Sequence, residues 1–370
     1  MADHATTLTV IEACGRAGVP VLLMSEPGMG KSSVVRALAA ARGLLCERVL
    51  GSIREPADVA GLPVLPATGT GGVVLEPPAW ARRLRDAGAG YLFLDELTTC
   101  PPAVQAAMLA VALDRMVGDL QLPDAVVVVA GANPPDVAAD GWEIAPPLAN
   151  RFCHLLYDPS VDEWLTGVTT GWTAPAAHRA VTGSPDRRAA LRAVVAGFIR
   201  TRPSLLHSLP ADPAGAGGAW PSRRTWTMTA DALAFVRDDD TEAIAAITFG
   251  LVGEGAATEF LTWRAAADLP DPDAVLADPS IMNWAERPDR VWAVLSGVIA
   301  QAAARRSVAA WTAAWGPVLA AAEGGAPDVA AAAVRILGRS RPAKATVPAA
   351  AARFRPLLAD AGLTSQDGAA

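Results

Sequence analysis

The chain has 370 residues, enough for two or three compact units at about 150 residues each, and its 52% hydrophobic against 19% charged residues exclude a mainly disordered polymer. With 31 Lys+Arg against 38 Asp+Glu the formal net charge is −7, so no overall positive field draws in nucleic acid or anionic lipid. Only two lysines, Lys31 and Lys344, stand beside 29 arginines, which makes a lysine inside a motif informative.

The stretch Met1 to Val10 carries Asp3 and no basic leader, and no apolar run reaches the roughly 18 residues of a membrane helix, so a cytoplasmic protein is expected. Val19 to Met24 reads as a short buried strand, followed by a Gly/Pro loop and a helix from Ser32 to Ala41 closed by Gly43. Leu45 to Leu50, Tyr91 to Leu94, Ala125 to Ala132 and Cys153 to Tyr157 are further runs of the buried-strand type, with helical segments between them. Five strands alternating with helices predict an α/β unit with a parallel sheet covered on both faces. Pro63-Val64-Leu65 and Val73-Val74-Leu75 flank Thr68 to Gly72 (TGTGG) and predict a hairpin within residues 62–78. After about Asp158 the strand signals stop and the chain reads as helices. Pro210 to Pro221 is rich enough in Gly, Pro and Ala to suggest a flexible connection, and the segment after Arg341 is a poorly patterned tail.

The loop Ser25-Glu26-Pro27-Gly28-Met29-Gly30-Lys31-Ser32 ends in GxGKS between a buried strand and a helix, and its residues from Glu26 on, with Ser33 after them, are the candidate nucleotide-binding set. Glycines there let backbone N–H groups turn toward phosphates, the helix N-terminus adds a positive dipole end, Lys31 supplies a point charge and the Ser32 hydroxyl suits Mg²⁺. Ser25 stands where this motif usually begins with glycine. Tyr91-Leu92-Phe93-Leu94-Asp95-Glu96 is an apolar strand ending in two acids, which places Asp95 beside Ser32 as a Mg²⁺ partner and Glu96 where it can polarise a water attacking the γ-phosphate. Asn133, at the tip of the following strand, is a candidate donor to that water or to the phosphate. The four cysteines form no CxxC, the four histidines pair with no nucleophile, and the tryptophans read as packing residues.

Taken together, EPGMGKS, SIREPADVAGLP, LFLDELTTCPPAVQAAML, AGANPP and APPLANRF resemble the AAA+ ATPases of the MoxR type, over roughly residues 10–160. The likeness continues weakly through PSRRTW (Pro221 to Trp226) and FGLVGEGAATEF (Phe249 to Phe260). This resemblance implies an α/β P-loop core over residues 1–160, an all-helical lid over 161–268 and a helical C-terminal extension over 269–370. It further implies ATP with Mg²⁺ as ligands, a homo-oligomeric ring, a hexamer by family habit, and a client or von Willebrand factor A domain partner. Arg151 in LANRF matches the arginine finger that reaches a neighbouring subunit's nucleotide; Arg224 matches the lid arginine, with Arg223 as the other candidate because it replaces the proline of the family's SPR pattern. The hairpin of residues 62–78 matches an insertion that projects toward the ring pore. Two other readings stand beside the motor: a nucleotide-dependent scaffold or switch with little turnover, and a small-molecule kinase, which the interface arginine and the long helical lid disfavour.

Overall fold

The computed structural model describes residues 2–65, 72–134, 144–172, 183–267 and 269–354. Two compact units divide the chain, the first taking in 1–182 and 207–257 and the second 183–206 and 258–370.

The first unit begins with α1 (His4–Arg16), whose end is capped by the Asp3 carboxylate accepting from the Thr6 N–H at 2.6 Å. There follow β1 (Val21–Met24), α2 (Lys31–Ala41), β2 (Leu45–Leu50), α3 (Pro56–Ala60), the antiparallel pair β3 (Leu62–Val64) and β4 (Val74–Glu76), α4 (Ala79–Ala87), β5 (Ala89–Asp95) and α5 (Pro102–Asp114). A small hairpin of β6 (Met116–Val117) and β7 (Leu120–Gln121) leads into β8 (Ala125–Ala132), α6 (Pro146–Ala149), β9 (Cys153–Leu156) and α7 (Val161–Thr170). After α8 (Pro185–Thr201), which counts with the second unit, the first is completed by α9 (Pro213–Ala216), α10 (Arg223–Leu233) and α11 (Thr241–Val252).

All five expected core strands form, and they pair in parallel in the order β2-β5-β8-β1-β9. Strand alternation sorts the side chains onto two faces. Leu92, Leu94, Val126, Val128 and Ala130 pack with Trp80 and Leu84 of α4 and Val104, Met108 and Val111 of α5 in one apolar cluster. Val127 belongs to the other face, where a Cβ on Gly15 of α1 would sit only 2.6 Å from its Cγ2, so glycine permits α1 to lie close to the sheet. β1 lies between β8 and β9, so the chain leaves it at the point where strand order reverses. The crevice beyond the strand ends at such a point is where α/β sheets bind ligands.

Three details depart from the sequence expectation. β2 is an edge strand, so its residues other than Val49 are half-buried or exposed, although its run of apolar residues had suggested a fully buried strand. Pro210 to Pro221 is ordered locally: Asp212 caps α9 through the Gly215 N–H at 2.6 Å, and Trp220 is buried with its indole N–H donating to the Ala216 carbonyl. The β6–β7 hairpin was not foreseen; it clasps β4 through Asp119, whose N–H donates to the Leu75 carbonyl at 3.1 Å while its carboxylate accepts from the Leu75 N–H at 2.9 Å. The β3–β4 hairpin forms with Pro63 opposite Leu75, and most of its TGTGG tip lies outside the described residues.

The second unit is helical. It contains α8, α12 (Glu254–Ala267) from Thr258 onward, α13 (Pro272–Ala277), α14 (Pro288–Arg305), α15 (Val308–Ala313), α16 (Trp315–Glu323) and α17 (Pro327–Arg339). Its boundaries differ from the expected division at 160 and 268, because α8 packs along α14 and is grouped with it. Trp311 and Trp315, each 1% exposed, meet edge to face at 5.5 Å, and the Trp311 indole donates to the Leu337 carbonyl. The expected tail after Arg341 is partly anchored here, since Ala345, Ala351 and Phe354 are buried against this core; residues 355–370 lie outside the described part. Among the described residues no helix is long and apolar enough to cross a membrane.

Candidate nucleotide site

The loop after β1 is shaped by two glycines in the left-handed region, Gly28 at φ +85° and Gly30 at φ +93°. An added Cβ at either would meet nothing within 4 Å, so the demand for glycine is conformational rather than steric. Gly30 caps α2, whose first turn begins at Lys31 and Ser32, so the free N–H groups of that turn open onto the loop. Ser25 replaces the usual glycine without breaking the loop. It is buried, its hydroxyl donates to the Glu26 carbonyl, and it accepts from the Lys31 ammonium at 3.0 Å.

Lys31 is held at the centre of the site. Its Nζ donates to the Ser25 carbonyl at 2.8 Å and to Asn133 Oδ1 at 2.8 Å. Burial pushes its pKa below the ordinary lysine value, and the nearby charges of Asp95 and Glu96 oppose that shift. Since an ammonium can only donate, Asn133 must turn its oxygen to Lys31, which leaves its NH₂ free to donate outward. The Asn133 backbone is fixed in turn by its N–H donating to Thr98 Oγ1 at 3.2 Å.

Asp95 ends β5 and is 6% exposed. Its Oδ1 accepts from the Glu96 N–H at 3.0 Å and lies against Gly131 of β8, where a Cβ would come within 2.9 Å of Oδ1 and of the Phe93 ring. We expect Gly131→Ala to lower stability by about 1–3 kcal/mol through this overpacking; a urea unfolding midpoint equal to wild type would contradict the contact. Glu96 itself sits at φ +60°, a strained backbone for a non-glycine residue, and its carboxylate accepts from the Ser52 hydroxyl.

Two residues the sequence reading missed therefore touch the acids, Ser52 just after β2 and Arg48 within it. Arg48 donates to Asp95 Oδ2 from Nε at 2.8 Å and from its terminal nitrogen at 2.6 Å. The available signal was a pair of charges, Glu47 and Arg48, inside an otherwise apolar strand; Glu47 points to the other face and accepts a two-pronged contact from Arg83 of α4.

Beside the loop opens a cavity of about 430 Å³ lined by Gly28, Met29, Ser33, Tyr157, Val161 and Trp164 among others. Trp164 is 53% exposed, unlike the buried tryptophans that bear out the packing assignment, and it lines this cavity. A larger cavity of about 510 Å³ between α1, β9 and α11 has Asp3 and Glu242 in its lining, charges of the wrong sign for a phosphate chain.

Arg151 and Arg224 are not in this group. Cys153 pairs with Val21 at the start of β1, so Arg151 lies at the opposite ends of the strands from the loop, four strand residues or about 13 Å away. The Asn150 side chain donates to the Trp220 carbonyl at 3.0 Å and accepts from the Ser222 hydroxyl at 2.7 Å, which ties the start of α10 to this place. Arg224 is close enough that, after burial, its charge is the next cause lowering the Arg151 pKa, with Asp114 opposing. Arg223 and Arg224 are both exposed.

The donor set fits Mg²⁺ delivered with a nucleotide. Ser32 and Asp95 offer hard oxygens, and this ion typically takes one or two protein ligands plus phosphate oxygens and water. Among the described residues no cluster of three or more His, Cys, Asp or Glu could hold a metal by itself.

No protein-family model matches the chain, and no curated protein matches it. Among solved structures, that of a candidate ATPase from Cytophaga hutchinsonii ATCC 33406 is similar over 66% of this chain and 78% of its own, with 17% sequence identity and a TM-score of 0.39. The chain's own strand order, with a glycine loop at the reversal point of a five-stranded parallel sheet, defines the class: an α/β protein with the loop geometry of a P-loop nucleotide-binding fold.

Proposed function

We propose that this chain is an ATP-hydrolysing AAA+ ATPase of the MoxR type, working as a ring that remodels or activates a partner protein. The observation that carries the reading is the convergence of Lys31, Asp95, Glu96 and Asn133 around one glycine loop. The Gly28–Ser32 backbone and Lys31 bind the phosphate chain and draw off its charge. Ser32 and Asp95 would hold Mg²⁺ arriving with ATP, which would supply further charge neutralisation. Glu96 takes a proton from water as its oxygen bonds to the γ-phosphorus, while the bond to the β–γ bridging oxygen breaks and ADP leaves; Asn133 orients the water or the phosphoryl group. Arg151 and Arg224 lie near each other, Arg151 at the far ends of the strands from its own loop; in this reading they serve a neighbouring subunit's phosphates in a homo-oligomeric ring. A hexamer, a von Willebrand factor A domain partner and a pore-facing role for the β3–β4 hairpin rest on the resemblance. A cytoplasmic setting goes with ATP as substrate.

A second reading, a nucleotide switch with little turnover, is favoured by one observation: both acids are already engaged, Asp95 by Arg48 and Glu96 by Ser52. Steady-state phosphate release separates the two. Glu96→Gln keeps the shape and loses the base, so it is expected to bind ATP as wild type does while turnover falls on the order of 100-fold or more. Equal turnover in that variant would move the base elsewhere, and negligible wild-type turnover with and without partner would favour the switch.

A further inference from the structure

Arg48 reaches Asp95 because of strand register. Arg48 stands opposite Phe93, and Leu50 opposite Asp95, so Arg48 and Asp95 are diagonal neighbours on one face of the β2–β5 pair. That separation suits a long side chain. The result is a forked contact on Oδ2, at 2.8 and 2.6 Å, while Oδ1 is occupied by the Glu96 N–H. Asp95 is thus satisfied entirely by this chain's own groups. The two partners differ in surroundings, since the Asp95 side chain is 9% exposed and that of Arg48 is 45% exposed. A buried carboxylate needs a counter-charge, whereas a half-exposed guanidinium on a flexible stem has solvent to move into.

We propose that Arg48 is a positioning residue that acts as the resident counter-ion of Asp95 and gives up Oδ2 to the divalent cation that arrives with ATP. The inference rests on the reading of Asp95 as a metal partner. Two cations cannot share one carboxylate oxygen without repulsion, and a guanidinium fork fills the lone pairs that a metal or its waters would use. Arg48 therefore suppresses metal binding when no nucleotide is present. Triphosphate oxygens supply the additional ligands that let the metal displace the fork, so metal and ATP load together rather than in sequence.

Mn²⁺ serves as the probe, its free aqua ion being counted by electron paramagnetic resonance in titrations of nucleotide-free protein. Arg48→Met is expected to bind Mn²⁺ on the order of tenfold more tightly than wild type, the scale of one partly exposed charge contact. Arg48→Lys keeps the charge but loses the fork and is expected to show a smaller gain. Adding Asp95→Asn to Arg48→Met is expected to erase the gain. Unchanged or weaker Mn²⁺ binding in Arg48→Met would overturn the proposal, as would a gain that survives Asp95→Asn. If the methionine variant does not fold cooperatively, Arg48→Lys decides alone, a gain supporting and no gain overturning. ATP binding by wild type with Mg²⁺ is measured beside these titrations: its absence would reject the nucleotide site itself, whatever Arg48 does.

Discussion

Lys31→Ala is expected to abolish ATP binding detectable by titration calorimetry. The ammonium is the cation the loop itself contributes, it is half-buried, and it is fixed by Ser25 and Asn133 rather than free to wander. Removing it discards charge-assisted bonds to phosphate worth about 1.5–3 kcal/mol each, so affinity is expected to fall on the order of 100-fold or more. Its present partners are carbonyls, a hydroxyl and an amide that water can satisfy, so the variant is expected to unfold at a temperature close to wild type. Affinity within a few-fold of wild type would place the phosphates elsewhere.

The second large effect concerns Arg151. Alone, Arg151→Ala is expected to lower turnover by about 10³-fold or more, the scale of arginine-finger losses, while leaving ATP binding intact. The stronger experiment mixes this variant with Lys31→Ala. One lacks the finger and keeps the loop; the other lacks the loop and keeps the finger. If the arginine end of one subunit serves the loop of another, two nearly inactive proteins are expected to recover activity where they adjoin. A mixture that stays inactive, with mixed oligomers demonstrated by native mass spectrometry, would return Arg151 to a structural role.

The parts of the site that share one short stretch were legible from sequence. Gly28, Gly30, Lys31 and Ser32 carry their geometry in their spacing, and Asp95-Glu96 are announced by the apolar run that delivers them. Contacts made across the sheet were not legible. Arg48 meets Asp95 only because β2 and β5 pair with Leu50 opposite Asp95, and no local pattern in β2 fixes that register. Ser52 and Gly131 belong to the same class, being defined by what packs beside them. The five-stranded sheet followed from alternating strand and helix signals, whereas the exposure of β2 required knowledge of strand order. In the helical half, alanine-rich segments specify helices but not partners, so the grouping of α8 with α14 could not be read in advance.

The central proposal is that ATP is hydrolysed at a site completed by a second copy of the chain. Phosphate release per mole of protein, measured at saturating ATP and Mg²⁺ over a wide range of protein concentration, tests it most directly. Specific activity is expected to rise with concentration and level off as light scattering reports a ring-sized mass. Constant specific activity from a species that scatters as a monomer would contradict it.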